Sequence, residues 1–301
     1  MIAYDPAAIL AAHGRSFHWA SRLLGPVHAA RATRLYAFCR HIDDLADEAH
    51  SPEAARTALC MVTRDIAAGA SKNPAAADLL VLMAECGIEP ATVADLIEGV
   101  ASDLDPVRIA DDAALLRYCY HVAGTVGLMM CRVLDVDTPA AFPHAVDLGI
   151  GMQLSNICRD IAEDARADRR YLPASRVGDL PPAALVAPDP ALQPMLCACV
   201  RHLLDAADAY YASGERGLAY LPLGARTGIL VAARVYRAIG TRLRRRGLAY
   251  WDGRVVVRRR AKVGLTARAL LTAPVGPSFW RPTGHHDPAL HASLTGLRHV
   301  G

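Results

Sequence analysis

From Met152 to Tyr171 no Gly or Pro interrupts the chain, and the apolar residues Leu154, Ile157, Cys158 and Ile161 fall on different faces from Gln153, Asn156, Asp160 and Asp164. Residues four apart on an α-helix stand one turn above one another. The pattern predicts a helix that packs through its apolar sides and carries an amide oxygen and two carboxylates in a row along another. A second row lies upstream in YAFCRHIDDLADE, Tyr36 to Glu48, where Asp43 and Asp47 stand at i and i+4, with Asp44 and Glu48 one step round the helix. Further helices are predicted from Asp5-Pro6, which supply an N-cap and a first helical proline. Others cover Val27 to His50, Pro52 to about Ala70, Ala75 to Cys86, Pro90 to Asp103, the stretch LLRYCYHVAGTVGLMMCRVL capped by Asp111, about Leu196 to Leu221, Ala225 to Leu248, and a last helix to about Leu271. Gly178 to Pro194, with five prolines, reads as a surface loop, and Tyr250 to Lys262 as either a bent connection or a short extended segment. Residues 276–301 read as a poorly ordered tail behind one large helical domain, 1–275.

Composition supports an all-α reading. Hydrophobic residues make up 53% of the 301 residues and aromatic ones only 6%, as in an Ala/Leu-rich helical protein, and strand-type alternation is scarce. The formal charge of +3 is small, so its distribution matters more: carboxylates gather in the two rows, while Arg242 to Lys262 carries RLRRR and then RVVVRRRAK. That basic segment reads as a solvated face, or as arginines (Arg254, Arg260) and Lys262 that close over an anionic ligand or touch lipid headgroups. It lacks the motif or aromatic platform of a nucleic-acid binder. Eight cysteines without CxxC or Cys/His ligand spacing suggest reduced core thiols and a cytoplasmic setting. No apolar run reaches the roughly 18 residues of a spanning helix, and MIAYDPAAIL lacks a signal peptide's basic start. His285-His286 is a metal-binding pair in form, but in such a tail it reads as chance.

Like charges at i and i+4 destabilise an isolated helix by a few tenths of a kcal/mol, so two such rows ask for a cation. A lone DxxxD is most simply a solvated acidic face. Two rows, each beside an arginine (Arg40 and Arg159), suggest more. Carboxylate and amide oxygens are the ligands Mg²⁺ takes, and rows facing across a cavity would clamp Mg²⁺ ions and, through them, a diphosphate.

YAFCRHIDDLADE, YCYHVAGTVGLMM (Tyr118 to Met130) and DLGIGMQLSNICRDIAEDARADRRYLPASRV (Asp147 to Val177) resemble the three signature blocks of the squalene and phytoene synthase family, over about His13 to Leu271. The resemblance implies a helical bundle of the isoprenoid synthase type around a central apolar cavity. It implies three Mg²⁺ ions, with Mn²⁺ able to substitute, held by Asp43, Asp47, Asn156, Asp160 and Asp164. Tyr36 and Tyr118 are implied in catalysis. Substrate contacts are implied at Ser16, Phe17, Arg40, Ala123, Val126, Gly127, Gln153, Asn156, Arg159 and Tyr250. Gly14 stands where the family usually has Ser. The implied reaction joins two prenyl diphosphates head to head through a cyclopropylcarbinyl diphosphate, with peripheral membrane contact for product release. HVAGTVGLMM and the missing C-terminal anchor favour the phytoene or dehydrosqualene type. Two geranylgeranyl diphosphates giving 15-cis-phytoene is the leading expectation. Two farnesyl diphosphates giving dehydrosqualene or squalene, a helical homologue without activity, and a head-to-tail prenyltransferase are the alternatives.

Overall fold

The computed structural model describes residues 4–282 and 284–300, the side chains of 15–17 excepted. Its helices are α1 Pro6–His13, α2 Arg15–Ser21, α3 Pro26–Asp47, α4 Pro52–Ala68, α5 Pro74–Cys86, α6 Pro90–Ser102, α7 Asp112–Cys119, α8 Thr125–Val133, α9 Phe142–Arg166, α10 Ala174–Val177, α11 Ala183–Val186, α12 Gln193–Arg216, α13 Leu223–Arg245, α14 Arg259–Thr272 and α15 Pro277–Trp280. Among the described residues there is no strand, only an isolated parallel bridge between Arg108 and Arg170.

Local chemistry sets the helix starts. The Asp5 carboxylate accepts from the Ala7 and Ala8 N–H groups at 2.9 and 3.2 Å, Asn73 caps α5 through Ala75 and Ala76, and Asp111 caps α7 through Ala114. Each satisfies amide donors that the first helical turn leaves unpaired. Proline at the first turn of α1, α3, α4, α5 and α6 adds a preset φ.

The 25-residue helix α9 is the central pillar, at 1.5 Å per residue about 37 Å long. Helices α8, α12 and α13 pack around it, covering Val146, Ile150, Leu154 and Cys158 completely. The α8 and α9 backbones almost touch. A Cβ on Gly127 would lie 2.2 Å from the Ala145 carbonyl oxygen, and one on Gly149 2.3 Å from that of Ala123, so only glycine fits at either position.

Three expectations need correction. The stretch from Asp112 to Val133 is not one regular α-helix, because Tyr120–Gly124 forms a single π-helical turn between α7 and α8; such turns re-aim side chains and are frequent at functional sites. The proline-rich stretch 178–194 is not only surface, since α11 packs on α9 and Leu185 is buried. The terminal segment expected as a poorly ordered tail docks on the bundle: Tyr210 Oη donates to the Leu290 carbonyl at 2.8 Å, Tyr120 Oη to that of Arg298 at 3.0 Å, and Leu294 is fully buried. The physical reason is that tyrosine hydroxyls placed this deep require partners, and the segment's backbone supplies them. Residues 250–258 take the bent form, a 3₁₀ turn at Tyr250–Asp252 followed by irregular chain up to α14. Among the described residues no helix is long and apolar enough to cross a membrane.

Candidate active site

An elongated apolar cavity runs alongside α9 between α3, α8 and the α12–α13 pair. The α9 face that lines it descends from Asn156 and Gln153 through Met152, Gly149, Leu148, Ala145 and His144 to Ala141 just before the helix. At 1.5 Å per residue that is about 22 Å. Ala123 of the π turn and Val126 and Gly127 of α8 form one wall, and Tyr36 of α3 faces Tyr236 of α13 near the polar end. Gly127 thus combines both readings of the small residues, keeping the helices close and the wall thin.

The two acidic rows converge at the polar end. Arg169, just beyond α9, donates to Asp47 of α3 at 3.2 Å, and the Asp103 carboxylate acts on both Asp43 and Asp164. Asp43 reaches water but is ringed by protein; this dehydration pushes it up to about 7, Arg40 opposing and Asp47 adding. Asp164 is likewise pushed up to about 7 by burial, then by the Asp160 charge, with Arg169 opposing. Asp160 is clasped by two arginines: Arg159 Nε donates to it at 2.8 Å, and Arg254 Nε and Nη2 donate at 2.9 and 3.2 Å. The Asn156 amide oxygen is buried with no hydrogen-bond partner. Four carboxylates, two of them dehydrated, and an orphaned amide oxygen make a hard-oxygen donor set that fits Mg²⁺.

Of the residues singled out from the sequence, Tyr36, Ala123, Val126, Gly127, Gln153 and Asn156 line the cavity, while Asp43, Asp47, Asp160, Asp164 and Arg159 gather at its polar end. Arg40 forms an ion pair with Asp44 on its own helix. Tyr118 does not line the cavity; its hydroxyl donates to Asp103 at 2.8 Å, as does that of Tyr171, the two rings lying 4.9 Å apart. Tyr250 is not brought to the site: it is buried against Trp251 and feels Cys197 and Cys199. The 3₁₀ turn that carries it packs on α9, outside the cavity lining. The side chains of Ser16 and Phe17 lie outside the described residues. Gly14 is buried, and a Cβ there would stand 2.5 Å from the Leu10 side chain and 2.9 Å from the Tyr36 ring, so the missing side chain makes room for both.

Sequence reasoning passed over three residues. Asp103 was read only as a helix stop, although burial raises its pKa even against two tyrosine hydroxyl donors. Arg169 lay outside the four-residue rows, and Tyr236 carried only the right inward periodicity. Arg254, expected with Arg260 and Lys262 to close over an anionic ligand, pairs with Asp160 at the polar end.

Residues 10–261 match the family model described as squalene/phytoene synthase. The chain belongs to the squalene/phytoene synthase family and is a prenyltransferase with the all-α isoprenoid synthase fold. Among its relatives, the 15-cis-phytoene synthase of Pantoea ananas is 38% identical over 259 residues, spanning 81% of this chain and 83% of that protein. A 15-cis-phytoene synthase from a Paracoccus strain is 38% identical over 264 residues, spanning 83% and 85%. The crystal structure of a dehydrosqualene synthase in complex with ligand is similar with a TM-score of 0.80 at 26% identity, covering 90% of this chain and 96% of that one.

Proposed function

We propose that this chain condenses two geranylgeranyl diphosphates head to head to 15-cis-phytoene, a step of carotenoid synthesis, in a Mg²⁺-dependent reaction. The observation that carries the reading is the length and lining of the cavity: an apolar channel of about 22 Å along α9, longer than an extended farnesyl tail and close to an extended geranylgeranyl one, opening at the two acidic rows. The names of the relatives agree with it.

Asp43 and Asp47 on one wall, with Asn156, Asp160 and Asp164 on the other, would hold three Mg²⁺ ions, with Mn²⁺ able to substitute. When bound, these ions would supply Lewis-acid stabilisation of the departing diphosphate. The chain's own residues account for the rest. Arg40, Arg159 and Arg254 offer guanidinium forks to diphosphate oxygens. Tyr36 and Tyr236 present π faces to the allylic cation, and the surrounding aliphatic side chains keep out water that would quench it. The double bond of the second substrate attacks that cation, and the new cation loses a proton to the departed diphosphate as the ring closes to a cyclopropylcarbinyl diphosphate. Loss of its diphosphate, rearrangement to the 1-1' linkage and loss of a second proton complete the reaction, and Tyr118, Tyr171 and Asp103 hold a hydrogen-bonded group beside the site where a proton can be steered. The hydrocarbon product then leaves toward a membrane surface. Leu270, Leu271, Val275 and Trp280 are exposed on and after α14, next to Arg268 and Arg281, as suits a cytoplasmic protein in peripheral contact with anionic lipid.

Incubating the purified chain with Mg²⁺ and either diphosphate, without NADPH, tests the substrate. A C40 hydrocarbon from the C20 diphosphate is expected. A C30 product formed in preference would assign the chain to the dehydrosqualene type, and no release of diphosphate from either substrate would favour a homologue without activity.

A further inference from the structure

Beyond the acidic rows, near the far end of the cavity, a second donor set is buried. Asp147 of α9 is fully buried, and its ion-pair partners among the described residues are two histidines of the terminal segment. His286 Nε2 donates to Asp147 Oδ2 at 2.8 Å, and His291 Nε2 donates to Oδ1 at 2.8 Å. One donor atom from each of the three residues lies within 4.8 Å of the others. The His291 side chain is 2% exposed and that of His286 10%.

We propose that Asp147, His286 and His291 form a second metal site, which takes Zn²⁺ or a similar borderline divalent cation and fastens the terminal segment to α9. The donor chemistry separates it from the oxygen-only site at the other end of the cavity: two imidazoles and one carboxylate suit Zn²⁺, whereas Mg²⁺ prefers oxygen alone. Hydrogen bonding by itself leaves this cluster incomplete. Each ring spends Nε2 on the carboxylate, and Nδ1 of both His286 and His291 is buried with no partner. If the rings are neutral, two lone pairs are stranded out of water; if they are charged, two N–H donors are.

The local sequence brings the two rings together. Asp287 accepts from the Ala289 N–H at 3.0 Å and starts a 3₁₀ turn, Pro288–Leu294, whose tight pitch returns His291 beside His286 with ring centroids 4.2 Å apart. His285, the first half of the His-His pair, stays exposed. The site also touches the cavity wall. His144 lines the cavity, meets Ser213 Oγ through Nδ1 at 3.0 Å and sets its ring edge-on to His286 at 5.4 Å. A cation held here would stiffen the far wall without entering the reaction.

Cobalt is the probe, because Co²⁺ reports its coordination in visible absorption. The full chain, stripped with chelator and kept in excess Mg²⁺, should take up one equivalent of Co²⁺ with the intense band of a four- or five-coordinate site, and Zn²⁺ should displace it and raise Tm. His286→Gln with His291→Gln should lose the band, while Asp43→Asn should keep it. Absence of the band in the unmutated chain overturns the proposal outright, leaving a hydrogen-bonded clasp. So does a band that persists in the double variant; should that variant not fold, His286→Gln alone replaces it, with at least roughly tenfold weaker Co²⁺ binding expected and unchanged binding counting against the site.

Discussion

Asp160 sits between two guanidinium groups, Arg159 from its own helix and Arg254 from the basic segment. A carboxylate so paired is placed to exchange one cation for another. Replacing Asp160 or Asp43 with Asn should lower turnover roughly a hundredfold or more, as read by diphosphate release, while circular dichroism shows the helical content unchanged. The Asp43 variant carries a second signature. The folded-state pKa of Asp43 is about 7 against an ordinary 3.8, so between those values the folded chain binds more protons than the unfolded one, and stability falls as pH rises through this window. Asp164 adds to the same trend. Thermal melts of the metal-free chain should therefore give a lower Tm at about pH 8 than at about pH 6, with part of the difference gone in Asp43→Asn. Because metal ligands must shed their protons, apparent Mg²⁺ affinity should rise over the same range, measured by titration at about pH 6 and about pH 8. The carboxylates themselves were readable from four-residue spacing. Their dehydration was not, since it depends on how the folded helices close around the two rows.

The long helix α9 does two jobs with two faces, and α8 fits against it only because Gly127 and Gly149 carry no side chain. Gly127→Ala would drive a Cβ into the Ala145 carbonyl, a backbone atom that cannot swing aside. A loss of about 1–3 kcal/mol is expected, detected as a lower denaturation midpoint with an unchanged m-value. The same helix works as a ruler. Ala145 lies eleven residues from Asn156, about 16 Å down the channel, so Ala145→Phe should block the last isoprene unit of a C20 tail and leave room for a C15 one. Competition between the two diphosphates, scored by product mass, checks this; unchanged preference would show that the tail lies elsewhere. Helix positions were legible because caps and prolines act locally: Asp5 and Asp111 do in the structure what their place in the chain suggests. The π turn at Tyr120–Gly124 was not, because it relieves the packing of a helix against neighbours that no local pattern specifies.

Over the molecule as a whole, the all-α architecture followed from composition and periodicity, and the meeting of two distant acidic rows from the resemblance of three sequence blocks. The terminal segment escaped both. Its Pro, Gly and His content is that of a loose tail, and what holds it is set in the bundle: Asp147, Tyr120 and Tyr210 are polar groups too deep to remain without partners. Tyr250 errs in the opposite direction, an aromatic assigned to the site by family likeness and buried instead in the core against α9, outside the cavity lining. Anomalous diffraction from crystals soaked with Mn²⁺ and a non-ionisable analogue of geranylgeranyl diphosphate tests the meeting of the rows most directly. Manganese should bridge Asp43 and Asp47 to the Asn156, Asp160 and Asp164 face, with the lipid tail running past Ala145; metal bound to one row alone, or a tail outside the channel, would contradict it.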